Sequence, residues 1–126
     1  MKTSGDIALG IDCGGTNMKL AIVTQNGDVL QSHTVPVHYK DPHEKVIASM
    51  AGHILKFLKE SRVKKIKGIG MGIAGDTDSR NGIVRYSPNL KWKDVPLKQI
   101  LHKYLDYPVL VENDANCAAW GAYCLD

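Results

Sequence analysis

The first third of the chain carries short apolar runs separated by turn residues. A glycine pair, Gly14 and Gly15, follows the first run and predicts a two-residue turn into a returning strand. Asn26 and Gly27, a strong hairpin signal, then open a third apolar run. The pattern therefore predicts an antiparallel meander of three strands, over residues 7–13, 18–24 and 28–37.

The hydrophobic period lengthens after residue 40, where a helix is predicted. Asp41, Pro42 and Glu44 form a helix start, with Asp at the N-cap, Pro at the first helical position and Glu at the third. The helix is expected to end near Glu60. Its buried stripe is predicted from apolar residues at helical spacing: Ile47, Met50, Ala51, Ile54, Leu55 and Leu58.

The rest of the chain alternates strands with helices. The predicted elements are a glycine-broken strand over residues 66–74, a candidate short strand over 83–86, a helix over 96–104, a strand over 109–111 and a helix from 114. The helix over 96–104 is expected to turn Leu97, Ile100, Leu101 and Tyr104 inward. The fold class is therefore α/β, with a mixed five-stranded sheet flanked by helices and right-handed crossovers. Ligands bind such sheets at the carboxyl ends of the strands.

Composition narrows the function classes. The chain has 126 residues, 44% hydrophobic and 23% charged, which is typical of one globular domain. The net charge is only +3, and the basic residues are dispersed along the chain except at residues 64–67, which we interpret as a solvated turn. We therefore predict no nucleic-acid partner. No apolar run reaches 18 residues, no signal-peptide cleavage site is present, and Cys13, Cys117 and Cys124 show no CxxC spacing. We expect a cytoplasmic protein without membrane contact, disulfide framework or zinc site.

The loop after the first strand is the first candidate for binding chemistry. Gly14 and Gly15 would let backbone N–H groups approach a phosphate, and Thr16 and Asn17 add side-chain donors. Asp12 would hold a magnesium ion or its waters. The same residues also suit a tight hairpin in which Asp12 accepts hydrogen bonds of the turn. The spacing alone leaves both interpretations open.

Two further features occur in the middle of the chain. Residues 70–75 match the G-x-G-x-x-G dinucleotide pattern, but loop residues follow where a helix would have to begin, so we interpret the match as accidental. The glycines instead allow a neighbouring element or a ligand to lie close to the strand. Asn89 stands in the rigid turn Ser-Pro-Asn-Leu, where its amide either brackets a hydroxyl-rich ligand or completes the turn.

A polar cluster follows the last predicted strand. Asn113 or Asp114 suits the N-cap of the next helix, which is the structural interpretation. A cap needs one such residue, however, and Glu112 and Asn116 add two more polar side chains. A carboxylate at a helix N-terminus lies in a favourable field and can orient a hydroxyl and accept its proton in a phosphoryl transfer. The excess of polar groups favours a functional interpretation.

Four segments, in this order, resemble the ROK sugar kinases of the actin/hexokinase/Hsp70-like ATPase superfamily. GIDCGGTNMKLAIV resembles the family's first phosphate loop, and GIGMGIAG its glycine-rich strand and sugar loop. YSPNLKWKDVPL is similar to the segment that contributes a sugar-binding Asn, and VENDANCAA resembles the catalytic loop. Together the four segments extend over nearly the whole chain. The resemblance implies a ribonuclease H-like (actin-like ATPase) domain.

The resemblance also implies residue roles. Asp114 would be the catalytic base that activates the sugar hydroxyl attacking the γ-phosphate of ATP. The sugar-binding residues would be Gly75, Asn89, Asn113 and Asp114. The phosphate-binding residues would be Gly14, Gly15, Thr16 and Asn17, with Asp12 near Mg²⁺. The implied cofactors are ATP and Mg²⁺, and the implied acceptor is a hexose or an N-acetylhexosamine.

Two departures from the family pattern affect these expectations. Ala74 stands where the family usually has Pro, which loosens the sugar loop without removing its backbone contacts. The family's second lobe, with a Glu and His pair, a Cys/His zinc motif and the adenosine site, has no counterpart in this sequence. We therefore expect residues 1–126 to form the N-terminal lobe, with no zinc site and little turnover on its own.

Two other functions compete with the kinase lobe. The first is the sugar-sensing domain of a ROK-type transcriptional regulator, which would need a DNA-binding segment ahead of the first strand, where about six residues stand. The second is a small binding domain whose apolar residues near Trp120 and Tyr123 meet a partner. For the kinase we expect sugar and ATP as partners, no direct nucleic-acid or membrane contact, and a homodimer as the full-length protein.

Overall fold

The computed structural model describes residues 7–63, 65–115 and 118. In chain order its elements are β1 (Ile7–Cys13), β2 (Asn17–Thr24), β3 (Val29–Pro36), α1 (His43–Ser61), β4 (Ile69–Ile73), β5 (Asp76–Asp78), β6 (Ile83–Ser87), β7 (Trp92–Val95), α2 (Leu97–Leu101) and β8 (Val109–Glu112). No helix among these residues is long and apolar enough to cross a membrane. Cys117, Cys124, Trp120 and Tyr123 lie outside the described residues.

The main sheet has five strands in the order β3-β2-β1-β4-β8. The strands β1, β2 and β3 pair antiparallel, which confirms the predicted meander. The strands β4 and β8 then join β1 in parallel, so the sheet is mixed as predicted. All five residues of β4 are buried, because the strand lies at the centre of the parallel part of the sheet.

Helix α1 confirms the predicted helix, with corrections at its start and on its stripe. Pro42, not Asp41, is the N-cap: its extended backbone precedes the helix, and its carbonyl oxygen accepts the N–H groups of Lys45 and Val46. Asp41 gives no side-chain cap and instead lies 3.9 Å from the ammonium nitrogen of Lys45. Leu55, expected in the buried stripe, is 43% exposed. The core side of the helix is formed by Val46, Ile47, Met50, Ala51, Ile54, Phe57 and Leu58.

A second sheet of three antiparallel strands, β5-β6-β7, contains the candidate short strand and two strands that the sequence pattern did not predict. Both additional strands are very short and carry charged residues, so they show no clear alternation of apolar and polar positions. The turn between β5 and β6 is held by Asp78, whose carboxylate accepts the backbone and side-chain N–H groups of Asn81. No helix follows residues 70–75, which confirms that the dinucleotide match is accidental.

Helix α2 is shorter than predicted, and Tyr104 is not inward. After Leu101 the chain tightens, because Lys103 and Tyr104 donate to carbonyls three residues back. This tighter turn leaves Tyr104 48% exposed, and Leu105 is buried in its place. At the end of the described chain, Ala115 and Ala118 are helical and the N–H of Ala118 donates to the carbonyl of Asp114, as the predicted helix start requires.

Candidate functional site

Three parallel strands end at the same level of the sheet. Cys13 at the end of β1 pairs with Ile73 at the end of β4, and Gly72 pairs with Glu112 at the end of β8. The connections that follow therefore leave from one edge. We call them the glycine loop (residues 14–17), the β4 loop (residues 74–75) and the β8 turn (residues 113–114). This edge is where open α/β sheets bind ligands.

In the glycine loop, residues 14–16 separate β1 from β2, one residue more than the predicted two-residue turn, and Asn17 begins β2. Its first glycine, Gly14, donates its N–H to the carbonyl of Asn17 at 2.8 Å. Neither Gly14 nor Gly15 has a positive φ, so the loop is not the primed hairpin turn that a glycine pair favours. A side chain at Gly15 would meet no described atom within 4 Å. Neither the backbone conformation nor a described neighbour requires glycine at this position. The space beside Gly15 is therefore not filled by the described residues and can admit a ligand.

Asp12 is exposed near the carboxyl end of β1, beside Gly72 on β4 and Lys19 on β2. The described residues contain no group of three His, Cys, Asp or Glu side chains that could enclose a metal ion. A lone exposed carboxylate fits Mg²⁺, which keeps several waters and takes its other ligands from substrate phosphates. The donor set is therefore compatible with the predicted role of Asp12.

Ser87, which the sequence pattern did not single out, links the β4 loop to the turn that carries Asn89. The Ser87 side chain is fully buried, at 0% exposure. Its hydroxyl donates to the carbonyl of Ala74 at 2.8 Å and accepts the N–H of Leu90 at 3.4 Å. Gly75 has a φ of 148°, and a side chain there would overlap Ser87 and the carbonyl of Tyr86. One hydroxyl thus connects the two segments expected to contact sugar.

The β8 turn lies directly on β4 because Gly72 has no side chain. A methyl group at Gly72 would overlap the backbone nitrogen and Cα of Ala115. Asn113 and Asp114 are both exposed at this edge of the sheet, while Asn116 lies outside the described residues. The close approach therefore fixes the position of the predicted catalytic residue relative to the strand that carries the β4 loop.

A cavity of about 570 Å³ lies among three loops, and we call it the loop cavity. It is lined by residues of the glycine loop, of the end of β3 and the segment after it, and of the turn before β7: Gly15, Thr16, Asn17, Pro36, Val37, His38, Tyr39, Lys40, Asn89, Leu90 and Lys91. The cavity brings the predicted phosphate-binding residues 15–17 together with the predicted sugar-binding Asn89. It does not include Asp12, Gly14, Gly75, Asn113 or Asp114 in its lining.

A buried aromatic contact borders this cavity, because Tyr39 is one of its lining residues. Tyr39 packs edge-on against Trp92, with ring centroids 5.7 Å apart. Its buried hydroxyl interacts with the Cys13 thiol without a hydrogen bond of regular geometry. Burial, reinforced by the charge of Asp12, raises the pKa of the Cys13 thiol to about 12, and burial also raises the pKa of Tyr39. No sequence signal marks this contact, because the three side chains come from distant segments.

Comparisons with known proteins place the chain among ROK proteins. The sequence profile of the ROK family matches residues 8–126. The chain is 34% identical over 118 residues to a glucokinase from Streptomyces coelicolor, and 31% identical over 115 residues to a xylose repressor from Caldicellulosiruptor bescii. These matches cover 93% and 90% of this chain but only 35% and 29% of the relatives.

The fold has solved counterparts. A ROK glucokinase from Streptomyces griseus, solved in complex with glucose and AMPPNP, superimposes with a TM-score of 0.76 at 30% identity. The match covers 93% of this chain and 36% of that one. The α/β fold is therefore that of the actin-like ATPases, as the resemblance implied. Because the family profile extends over nearly the whole sequence, the chain belongs to the ROK family.

Proposed function

We propose that the chain is the N-terminal lobe, residues 1–126, of an ATP-dependent sugar kinase that acts on a hexose or an N-acetylhexosamine. One observation carries the proposal: β1, β4 and β8 end in register, so the glycine loop, the β4 loop and the β8 turn leave the sheet at one edge. A phosphoryl transfer needs a phosphate cradle, an acceptor site and a base within reach of each other. These three loops supply the residue types for all three.

The β8 turn supplies the base. Asp114 is exposed at the start of a helix, where a carboxylate can accept a hydrogen bond from the attacking sugar hydroxyl and take its proton as the new bond forms. Asn113 beside it offers an amide donor and acceptor to a neighbouring hydroxyl. The turn rests on β4 at Gly72, so the carboxylate is presented from a fixed backbone.

The sugar is held by the β4 loop and Asn89, which Ser87 joins into one unit. The glycine loop faces the phosphates through its backbone N–H groups and the side chains of Thr16 and Asn17. Mg²⁺ near Asp12 would neutralise charge on the phosphate oxygens during transfer. The chain's own contribution is to orient the acceptor hydroxyl and to hold the phosphate in line with it.

The test is sugar-dependent ADP production by the full gene product, with a panel of hexoses and N-acetylhexosamines. We expect turnover that Asp114→Asn lowers by roughly 10²- to 10⁴-fold, the usual contribution of a positioned base. Asp106→Asn is the matched control, because Asp106 is an exposed carboxylate just before β8, at the opposite edge of the sheet. Equal activity of both variants would remove Asp114 from the chemistry.

A different result would favour the sensor. Xylose repressors are among the relatives of this chain, so calorimetric sugar binding without any turnover would identify the domain as the sugar-sensing part of a regulator. We propose a cytoplasmic homodimer for the full gene product. Light scattering at two protein concentrations tests that assembly independently of catalysis.

A further inference from the structure

The loop cavity has a basic wall to which no role has been assigned. Lys40 and Lys91 line it from two different loops, and His38 adds an imidazole. None of its described lining residues is an Asp or a Glu. The same cavity is lined by three residues of the glycine loop, so the two lysines and the polar loop residues border one space whose described lining contains no carboxylate. This combination suits an anion.

The two ammonium groups are not neutralised by the protein around them. Neither Lys40 nor Lys91 forms an ion pair with a residue that the structure describes. The carboxylate next in sequence, that of Asp41, lies 3.9 Å from the ammonium nitrogen of Lys45. It lines a neighbouring cavity to which Lys40, Lys91 and Lys93 also contribute, so the lysines outnumber the carboxylate there. Both lysines are exposed, so a ligand can reach their charges. When the cavity is empty, neither lysine is a buried cation without a partner.

Lys91 is also held in an unfavourable backbone conformation. Its φ is 58°, in the left-handed region that residues other than glycine adopt at a cost in free energy. Its neighbours Leu90 and Trp92 are buried, with 1% and 4% exposure, and they fix the turn on either side. Strained residues that buried neighbours hold in place are concentrated at ligand sites. The turn thereby fixes where the Lys91 side chain leaves the backbone at the edge of the cavity.

We propose that Lys40 and Lys91 form an anion subsite that holds a phosphate group of the ligand between the glycine loop and Asn89. Each ammonium group would donate a charge-assisted hydrogen bond to a phosphate oxygen. A volume of about 570 Å³ is in the usual range for small-ligand sites. The identity of the ligand rests on the proposed function: the phosphate belongs either to the donor's phosphate chain or to the phosphorylated sugar.

Calorimetric titration of the chain tests the subsite without any turnover. The probes are tripolyphosphate for the donor, glucose 6-phosphate for the product, and glucose as the uncharged control. The variants are Lys40→Gln, Lys91→Asn and the double substitution, since Asn removes the charge and still tolerates a positive φ. Lys56→Gln is the matched control, because Lys56 is an exposed lysine on α1, far from the cavity in sequence.

We expect each cavity variant to weaken phosphate binding about fivefold or more, and the difference to shrink at high salt because exposed charges are screened. A loss for tripolyphosphate assigns the subsite to the donor, and a loss for glucose 6-phosphate alone assigns it to the sugar phosphate. Lys91→Gly, with thermal denaturation of every variant, controls for misfolding.

Unchanged phosphate affinity in the double variant would overturn the subsite, as would an equal loss in Lys56→Gln. A gene product that phosphorylates no sugar while the lysine variants still lose phosphate affinity would refute the proposed kinase and leave the subsite standing. The reverse pattern, full turnover with unaffected phosphate binding, would refute the subsite alone.

Discussion

At the scale of single residues, the buried hydroxyl of Ser87 decides the relative position of two loops. The side chain has no contact with solvent, yet both of its hydrogen bonds go to backbone groups of segments expected to touch sugar. Its role is therefore positioning, through the carbonyl of Ala74 and the N–H of Leu90. The sequence shows only a serine before a proline, which is an ordinary turn residue.

Replacing Ser87 with Ala should loosen the sugar site. We expect the free energy of unfolding to fall by about 1–3 kcal/mol, since buried backbone groups lose a partner. In the full gene product we expect the KM for sugar to rise by about fivefold or more while the KM for ATP stays unchanged. Urea denaturation and steady-state kinetics measure both, with the exposed Ser32→Ala on β3 as control. A parallel rise in both KM values would contradict a local positioning role.

The buried thiol of Cys13 makes the free energy of unfolding depend on pH in the alkaline range. Its pKa is raised by burial from 9.0 to about 12, so the folded state keeps a proton that the unfolded state loses. This contribution to stability is complete below pH 9 and is lost as pH rises toward 12. One such group changes the free energy of unfolding by about 1.4 kcal/mol per pH unit within that window. Denaturation of the wild type and Cys13→Ala between pH 8 and 11 measures it, and equal slopes would contradict the prediction.

At the scale of elements, β4 positions the β8 turn through one glycine, Gly72, which leaves room for the backbone of Ala115. We expect Gly72→Ala to displace this turn and to lower kcat in the full gene product by roughly tenfold or more, because small displacements of reacting groups are costly. Gly52→Ala on α1 is the control, since a side chain there meets no described atom within 4 Å. This control should instead stabilise the helix by about 0.5–1 kcal/mol. Normal kcat in Gly72→Ala would show that the turn relaxes freely.

The sequence predicted long elements well and short ones poorly. The meander and α1 were foreseen because hydrophobic period and turn residues extend over many neighbouring positions. The strands β5 and β7 were missed because three or four residues with charged side chains carry no period. The N-cap was predicted at Asp41, but the structure has it at Pro42. The extended backbone of a proline can end the loop as readily as a capping side chain.

At the scale of the whole molecule, the chain spans about a third of the length of the glucokinases it matches. The chain covers 35% of the length of the Streptomyces coelicolor glucokinase that it resembles. We expect the 126-residue chain alone to bind phosphate compounds in the loop cavity but to produce little ADP with any sugar. A coupled assay of the chain beside the full gene product measures this. Robust turnover by the 126 residues would contradict it.

The sequence by itself determined the order of the main elements, the α/β class, the family and the residues that three loops present. These properties follow from local period, turn chemistry and motif, all of which are written in neighbouring residues. Only the tertiary structure decided which loops meet. It brought Lys40, Lys91 and Asn89 around one cavity with the glycine loop, and it seated Ala115 on Gly72. Contacts between distant segments depend on sheet register and packing, which leave no local pattern in the sequence.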